Sequence, residues 1–180
     1  KVRNKDLKYG FMDNKGNWVV EPIYDAAEDF SEGRAAVGIR SQDSQFDNES
    51  DIMVLEVDRW GFIDTEGQVI VDLEYASAQS FSHGLSYVTD DKVWTTAKGY
   101  YIDRDGEIAI TLPWDRIGEH GARPFAEDGT AIITRMSEED PSLSLTGVID
   151  RQGNLVLPFE YLFISESVEG LRVASPIEKR

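Results

Sequence analysis

Four short segments share the pattern Asp-x-x-Gly, and their carboxylates are the first candidates for chemistry. The segments begin at Asp13, Asp64, Asp103 and Asp150. A calcium loop needs oxygen ligands at alternate positions and a bidentate Glu at its twelfth. None of the segments supplies that set, although Asp103, Asp105 and Glu107 come closest. Turn formation explains why Asp recurs at the first position, because its side chain accepts backbone N–H groups two residues further along the chain. We therefore predict turns here and no metal site.

The remaining acid–base groups do not form a recognisable catalytic pattern. His83 and His120 come without the Gly-x-Ser-x-Gly motif of hydrolases or the His-Glu-x-x-His motif of zinc proteases, and we expect both to be solvated. Neighbouring carboxylates at Glu127 and Asp128 and at 138–140 lie in predicted loops, whereas glycoside hydrolysis requires two carboxylates facing each other across a cleft. The sequence contains no glycine-rich nucleotide-binding loop. We predict neither an enzyme nor a bound cofactor.

The composition fits one folded domain with an acidic surface. The chain has 180 residues, of which 41% are hydrophobic, and this is enough for a sizeable core. Its formal net charge of −16 opposes binding to nucleic acid or anionic lipid, since both require a basic surface. No stretch approaches the roughly 18 apolar residues of a membrane-spanning helix, so we expect no membrane insertion. The absence of cysteine excludes disulfides and thiolate metal sites.

The compartment stays open. The chain begins with Lys1 and carries no signal peptide, so we expect a processed protein or a segment of a longer one, with any targeting segment out of view. A chain without cysteine suits an exported or cell-envelope location and a cytoplasmic one alike.

The Asp-x-x-Gly segments are fixed points of a fourfold internal repeat. Successive Asp residues are 51, 39 and 47 positions apart, and the flanking pattern stays in register. A strand rich in β-forming residues precedes each turn, a second strand follows, and a later glycine leads into a third. One unit is too small to bury its own aromatic residues, so stacked units must cover one another. The pattern predicts a single domain over 1–180, with units at about 8–40, 58–89, 98–134 and 145–175.

The predicted fold is all-β, a tandem array of four three-stranded antiparallel units with about twelve strands. The array is either an open stack or a closed barrel or propeller. We assign the repeated positions a structural role only. They are Gly10, Asp13, Gly16, Tyr24, Gly61, Asp64, Gly67, Tyr75, Asp103, Gly106, Trp114, Gly147, Asp150, Gly153 and Tyr161.

The repeated unit resembles a known family. Residues 59–64 read Arg-Trp-Gly-Phe-Ile-Asp, and residues 9–13 read Tyr-Gly-Phe-Met-Asp. This pattern is similar to the WG repeat, also written KWG, over nearly the whole chain. The resemblance implies an all-β repeat module, mostly bacterial, often attached to other domains or export signals. It implies no shared catalytic residues, and the family is usually described as a presumed interaction module.

Two units depart from the family pattern. The third has Tyr100 at the glycine position and Trp114 in place of the usual Tyr, and the fourth has Ser167 where an aromatic residue is expected. We expect altered packing in the third unit and a capping role for the fourth.

Acidic connections between units are the best candidates for a binding surface. Three of them join the third strand of one unit to the first strand of the next, and in a regular array such connections lie along one edge. They contain Asp43, Phe46, Asp47, Glu49, Asp51, Asp90, Asp91, Glu138, Glu139 and Asp140. We predict an edge that docks a protein with a basic surface, with Phe46 as an apolar anchor. Simple solvation of an acidic protein is the alternative.

Other functions remain open. Trp94 and Trp114 are candidates for a platform on which a carbohydrate, a peptidoglycan-type ligand or a peptide stacks. Trp94 lies outside the repeat pattern, whereas Trp114 occupies a repeat position and is expected to be structural. A spacer role within a larger bacterial protein and a divergent hydrolase are further alternatives. Protein–protein interaction or scaffolding is the function we predict.

Overall fold

The described part of the protein is composed of β-strands, turns and loops. A computed structural model describes residues 2–3, 8–40, 59–91, 97–114, 117 and 121–177. Within these ranges there is no helix, and therefore none long and apolar enough to cross a membrane. The strands are β1 (Val2–Arg3), β2 (Tyr9–Met12), β3 (Trp18–Tyr24), β4 (Ala26–Ala27), β5 (Ala35–Ile39), β6 (Arg59–Ile63), β7 (Val69–Tyr75), β8 (Ser77–Ala78), β9 (Ser86–Thr89), β10 (Gly99–Ile102), β11 (Ile108–Thr111), β12 (Thr130–Met136), β13 (Ser144–Asp150), β14 (Leu155–Ile164) and β15 (Ala174–Pro176).

The strands form four small antiparallel sheets in tandem. Their strand orders are β1-β2-β3, β4-β5-β6-β7, β11-β10-β9-β8 and β12-β13-β14-β15. In the described part of the chain none of these sheets closes into a barrel. The predicted all-β tandem array is therefore confirmed, and its described sheets are not barrels.

The antiparallel pairing expected within each unit is confirmed, whereas the strands outnumber the twelve expected and pairing also crosses the repeat boundary. The structure has fifteen strands in its described ranges, because short strands such as β4 and β8 form within the connecting segments. The third long strand of each unit pairs with the first strand of the next, as β5 does with β6. An isolated hairpin would leave an open edge of unpaired backbone groups, and pairing with the next unit removes it. Consecutive units are thus joined by backbone hydrogen bonds.

Hydrophobic cores lie between successive sheets. In β5, Ala35 and Val37 face one core and Ala36 faces the next, because side chains alternate along a strand. The inner strands are consequently buried on both faces. An edge-to-face aromatic pair occupies each of the first three cores, at 4.7 Å for Phe11 and Phe30. The equivalent pairs are Phe62 with Phe81 and Tyr101 with Phe125, both at 4.9 Å.

The fourth core is smaller than the others. Val148 and Ser167 stand where the aromatic pair would be, and only Ile132, Val148 and Ile164 are fully buried there among the described residues. Because none of the other described sheets packs on this side, the last sheet exposes much of its outer face.

The glycine of the repeat's Trp-Gly pair permits a bulge. Between the pairs Tyr9 with Tyr24 and Phe11 with Val20, β2 advances two residues while β3 advances four. The bulge brings the Val20 carbonyl oxygen so close that a Cβ on Gly10 would lie 2.4 Å from it. Gly61 meets Val71 in the same way.

The third unit tolerates Tyr100 at this position because it has no such bulge. Its second strand, β11, has four residues, whereas β3 and β7 have seven. Tyr100 pairs directly with Thr111. The expected change of packing in this unit is therefore a shortened second strand.

Candidate functional site

Equivalent connections of the four units lie on one edge. Ser31 Oγ donates to the Phe81 carbonyl at 2.7 Å, and Ser82 Oγ donates to the Phe125 carbonyl at 3.0 Å. These bonds align the tight turns that precede β5, β9 and β12. Because each of those strands runs away from these turns, the connections that follow them share the opposite edge. We call it the loop edge; its described members are Asp25, Arg40, Asp90, Asp91, Lys98, Glu138, Glu139 and Asp140.

Part of the predicted docking surface lies outside the described residues. This applies to Asp43, Phe46, Asp47, Glu49, Asp51 and Trp94. The other predicted contact residues, at 90–91 and 138–140, lie on the loop edge and are exposed.

Several loop-edge carboxylates shape their own loops. Asp90 accepts the Lys98 backbone N–H at 2.8 Å. Asp140 accepts the Ser142 hydroxyl at 2.7 Å and its backbone N–H at 2.9 Å, and these bonds lower the pKa of Asp140. Glu138 forms an ion pair with Arg135. Asp140 is therefore ionised at neutral pH, and these contacts orient both Asp140 and Asp90.

An open groove of about 670 Å³ runs beside the last of these loops. Acidic residues Glu138, Glu139, Asp140 and Glu160 contribute to its lining together with Arg135 and Ser137. The apolar part of the lining consists of Leu143, Leu145, Phe159, Tyr161, Pro176 and Ile177. We call this the loop-edge groove. It combines negative charge with an apolar surface.

Sequence reasoning found one wall of this groove and missed the others. Glu138 and its neighbours stood out as an acidic insertion, but Glu160 comes from β14 and Ile177 directly follows β15. Only the pairing of β14 with β15 brings those segments together.

Of the two candidate stacking residues, Trp114 lies in the described part of the chain, and its ring is already engaged. Trp114 is half-buried and packs edge to face against Phe159, with ring centroids 5.0 Å apart. The guanidinium of Arg135 lies 5.5 Å from the centroid of the same Phe159 ring. Trp114 is thus a packing residue, in agreement with its place in the repeat.

The Asp-x-x-Gly segments are turns whose carboxylates bind their own backbone. Asp13 Oδ1 accepts the backbone N–H groups of Lys15 and Asn17, at 2.8 and 2.9 Å. The pKa of Asp13 is lowered chiefly by the hydrogen bond from the Asn17 side chain, and Asn154 has the same effect on Asp150. The described residues contain no group of three or more His, Asp or Glu side chains arranged to hold a metal ion.

His83 is exposed, as expected, but its ring is not merely solvated. Nδ1 lies 2.9 Å from the Phe125 carbonyl oxygen and 3.1 Å from Ser82 Oγ. The ring therefore links the second unit to the third, because the tight turn places it beside the next unit's backbone. His120 lies outside the described residues.

The strand order and the repeated turns define a tandem all-β repeat protein whose consecutive units share sheets. A family model described as WG containing repeat matches residues 9–40, 60–94 and 147–172, and the chain belongs to this family. The matched segments leave out the third unit, which lacks the glycine at the position of Gly10 and the bulge that this glycine permits. No curated protein and no solved structure matches the chain significantly.

Proposed function

We propose that this chain is a non-catalytic binding module whose loop edge holds a segment of a partner protein. The loop-edge groove is the observation that carries the proposal. The partner segment carries basic residues that face the acidic lining and apolar residues that occupy the rest of the groove.

Electrostatics supports a basic partner. The chain has 34 acidic and 18 basic residues, so its field attracts positive charge over a distance of about one Debye length. The exposed Glu139 and Glu160 add negative charge at the groove itself. Such charges mainly raise the association rate and select the partner's sign.

The apolar lining supports a peptide-like ligand. Leu143, Leu145 and Ile177 are half-buried, so they are packed enough to be ordered and exposed enough to bind. Apolar contacts at the centre of an interface usually supply most of the affinity. The engaged rings of Trp114 and Phe159 offer less to a stacked sugar.

A pull-down with matched charge variants tests the proposal. Glu139→Gln with Glu160→Gln removes two charges from the groove and leaves the Glu138–Arg135 pair intact. Glu66→Gln with Glu107→Gln removes two exposed charges at the Asp-x-x-Gly turns on the opposite edge.

Wild type and the turn variant should retain the same basic proteins, identified by mass spectrometry, and the groove variant should lose them. Raising the salt concentration should release the same proteins. Equal retention by both variants would contradict the proposal. Binding to a glycan array that survives the groove substitutions would favour the carbohydrate alternative.

A further inference from the structure

The same joint connects each unit to the next. A Cβ added to Gly67 would lie 2.7 Å from a methyl carbon of Val20 in the preceding unit. Gly106 meets Val71 at 2.9 Å, and Gly153 meets Ile110 at 2.8 Å. In each case the Asp-x-x-Gly turn of one unit sits on the second strand of the unit before it.

Each end of the array presents one half of this joint without its counterpart: the turn at Gly16 in the first unit and the second strand at Leu157 in the fourth. Gly16 has the same turn conformation, with φ of +85°, but among the described residues nothing lies within 4 Å of the position of its missing Cβ. Leu157 occupies in the fourth unit the place of Val20, four residues after the turn glycine. Val20, Val71 and Ile110 are 5–7% exposed, whereas Leu157 is only half-buried.

The sheet edge at the same end is also open. β15 is the fourth unit's counterpart of β5, yet among the described strands it pairs only with β14 and ends its sheet. Large apolar side chains are exposed beside it. They are Leu162, Phe163, Val168, Leu171 and Val173.

At the N-terminal end of the array, β2 pairs with the two-residue strand β1. Val2 of β1 lies opposite Gly10 of β2, as Val37 of β5 lies opposite Gly61 of β6. The two-residue β1 therefore occupies the place that a full strand takes in the internal joints. So short a strand is readily displaced, since it contributes few ladder hydrogen bonds.

Charge is also distributed favourably for contact between the two ends. The first fifteen residues carry five basic and two acidic side chains, a formal charge of +3, although the whole chain carries −16. A positive end is attracted to the acidic remainder of another copy.

From these observations we propose that copies of this chain associate head to tail. β15 of one copy pairs with β2 of the next and displaces β1, and Gly16 of the second copy sits on Leu157 of the first. The contact continues the joint that occurs three times within the chain. Because the two surfaces differ, the association is heterologous and produces an open row of copies. The proposal rests on observations other than those for the loop-edge partner, although Pro176 belongs to both surfaces.

Pro176 in β15 limits the strength of this contact between copies. Ile177 N–H donates to the Glu160 carbonyl, and the Val173 carbonyl accepts from Ser165. Backbone groups of Ala174 and Pro176 therefore point to the open edge, because hydrogen-bonding directions alternate along a strand. Pro176 has no N–H to donate, so the contact is weaker than an internal joint and reversible.

Sedimentation velocity over a wide range of protein concentration tests the proposal. Wild type should sediment faster as its concentration rises. Pro176→Ile restores the N–H and should shift association to lower concentration. Leu157→Asp should remain monomeric, whereas the matched control Val156→Asp should associate like wild type, because the equivalent Val19 stays 48% exposed within the array.

A complementation experiment identifies the geometry. Gly16→Asn blocks the other end and keeps its fold, because Asn tolerates positive φ. Neither Leu157→Asp nor Gly16→Asn should associate alone, but a mixture should form a dimer and nothing larger. Wild type that stays monomeric, or a mixture that stays monomeric while wild type associates, would overturn the proposal. Circular dichroism confirms that each variant is folded.

Discussion

Glycine in the Asp-x-x-Gly turns meets two separate requirements. It supplies positive φ in every unit, from +80° to +88°. In three units it also leaves room for a side chain of the preceding unit, as Gly67 does for Val20. The first requirement is visible in the sequence as a turn signal, whereas the second depends on the stacking of units. Comparing Gly16 with Gly67 separates the two requirements, because in the described part of the chain only Gly67 has a side chain of another unit against it.

Gly67→Ala is expected to destabilise the protein more than Gly16→Ala. Both substitutions place Ala at positive φ, which costs about 1 kcal/mol. Gly67→Ala additionally presses its methyl group against Val20, and such overpacking costs roughly 1–3 kcal/mol. Urea unfolding at low protein concentration measures both changes in free energy. Equal destabilisation would mean that the joint between units accommodates a methyl group freely.

Asp25 is expected to make one end of the array sensitive to acid. Burial alone would raise the pKa of Asp25, but hydrogen bonds from the Lys8 ammonium, at 2.7 Å, and the Arg40 backbone N–H outweigh it and lower the pKa below 3.8. A carboxylate with a lowered pKa stabilises the fold above its ordinary pKa, and this contribution is lost as pH falls through the lowered value.

The difference in unfolding free energy between wild type and Asp25→Asn should therefore be largest above about pH 5 and shrink below pH 3.8. Comparing the two proteins removes the effect of the other carboxylates, which titrate in both. A difference that does not change with pH would contradict the assigned ionic role.

At the scale of elements, the sequence predicted the hairpins and turns but not the partners of the long strands. Local signals suffice for β2, its Asp-x-x-Gly turn and β3, because turn chemistry and strand alternation lie within a few residues of each other. The pairing of β5 with β6 has no such local signal, since any exposed strand edge can accept a neighbour. The loop-edge groove was incompletely predicted for the same reason, because β14 and β15 form part of it.

Backbone stability is expected to fall toward the last unit. β5, β6, β9 and β10 have hydrogen-bonded neighbours on both sides and are largely buried, whereas β15 is exposed and ends its sheet. Opening free energies range from about zero at frayed edges to the full unfolding free energy in central strands. Hydrogen exchange on a dilute sample should therefore be slow in the first group and fast at 165–176. Uniform exchange along the chain would show that the four units unfold together.

At the scale of the whole molecule, self-repulsion opposes the compact state. A net charge of −16 is spread over four units in a row, so most repulsive pairs lie at the surface and are screened by salt. Attractive ion pairs are fewer than the repulsive pairs and are partly shielded from solvent. Examples are Lys8 with Asp25 at 2.7 Å and Arg172 with Asp128 at 2.9 Å. Salt should therefore weaken the repulsion between surface carboxylates more than it weakens these attractive ion pairs. We therefore expect the urea midpoint of dilute protein to rise as sodium chloride increases from a few millimolar to about 0.3 M, where the Debye length is well below 10 Å. Sucrose at matched osmolality separates screening from solute exclusion, since it carries no charge. If the midpoint falls with salt, the attraction within local ion pairs contributes more to stability than the repulsion from the net charge. The basic residues of this chain would then stabilise the fold despite being outnumbered by acidic ones.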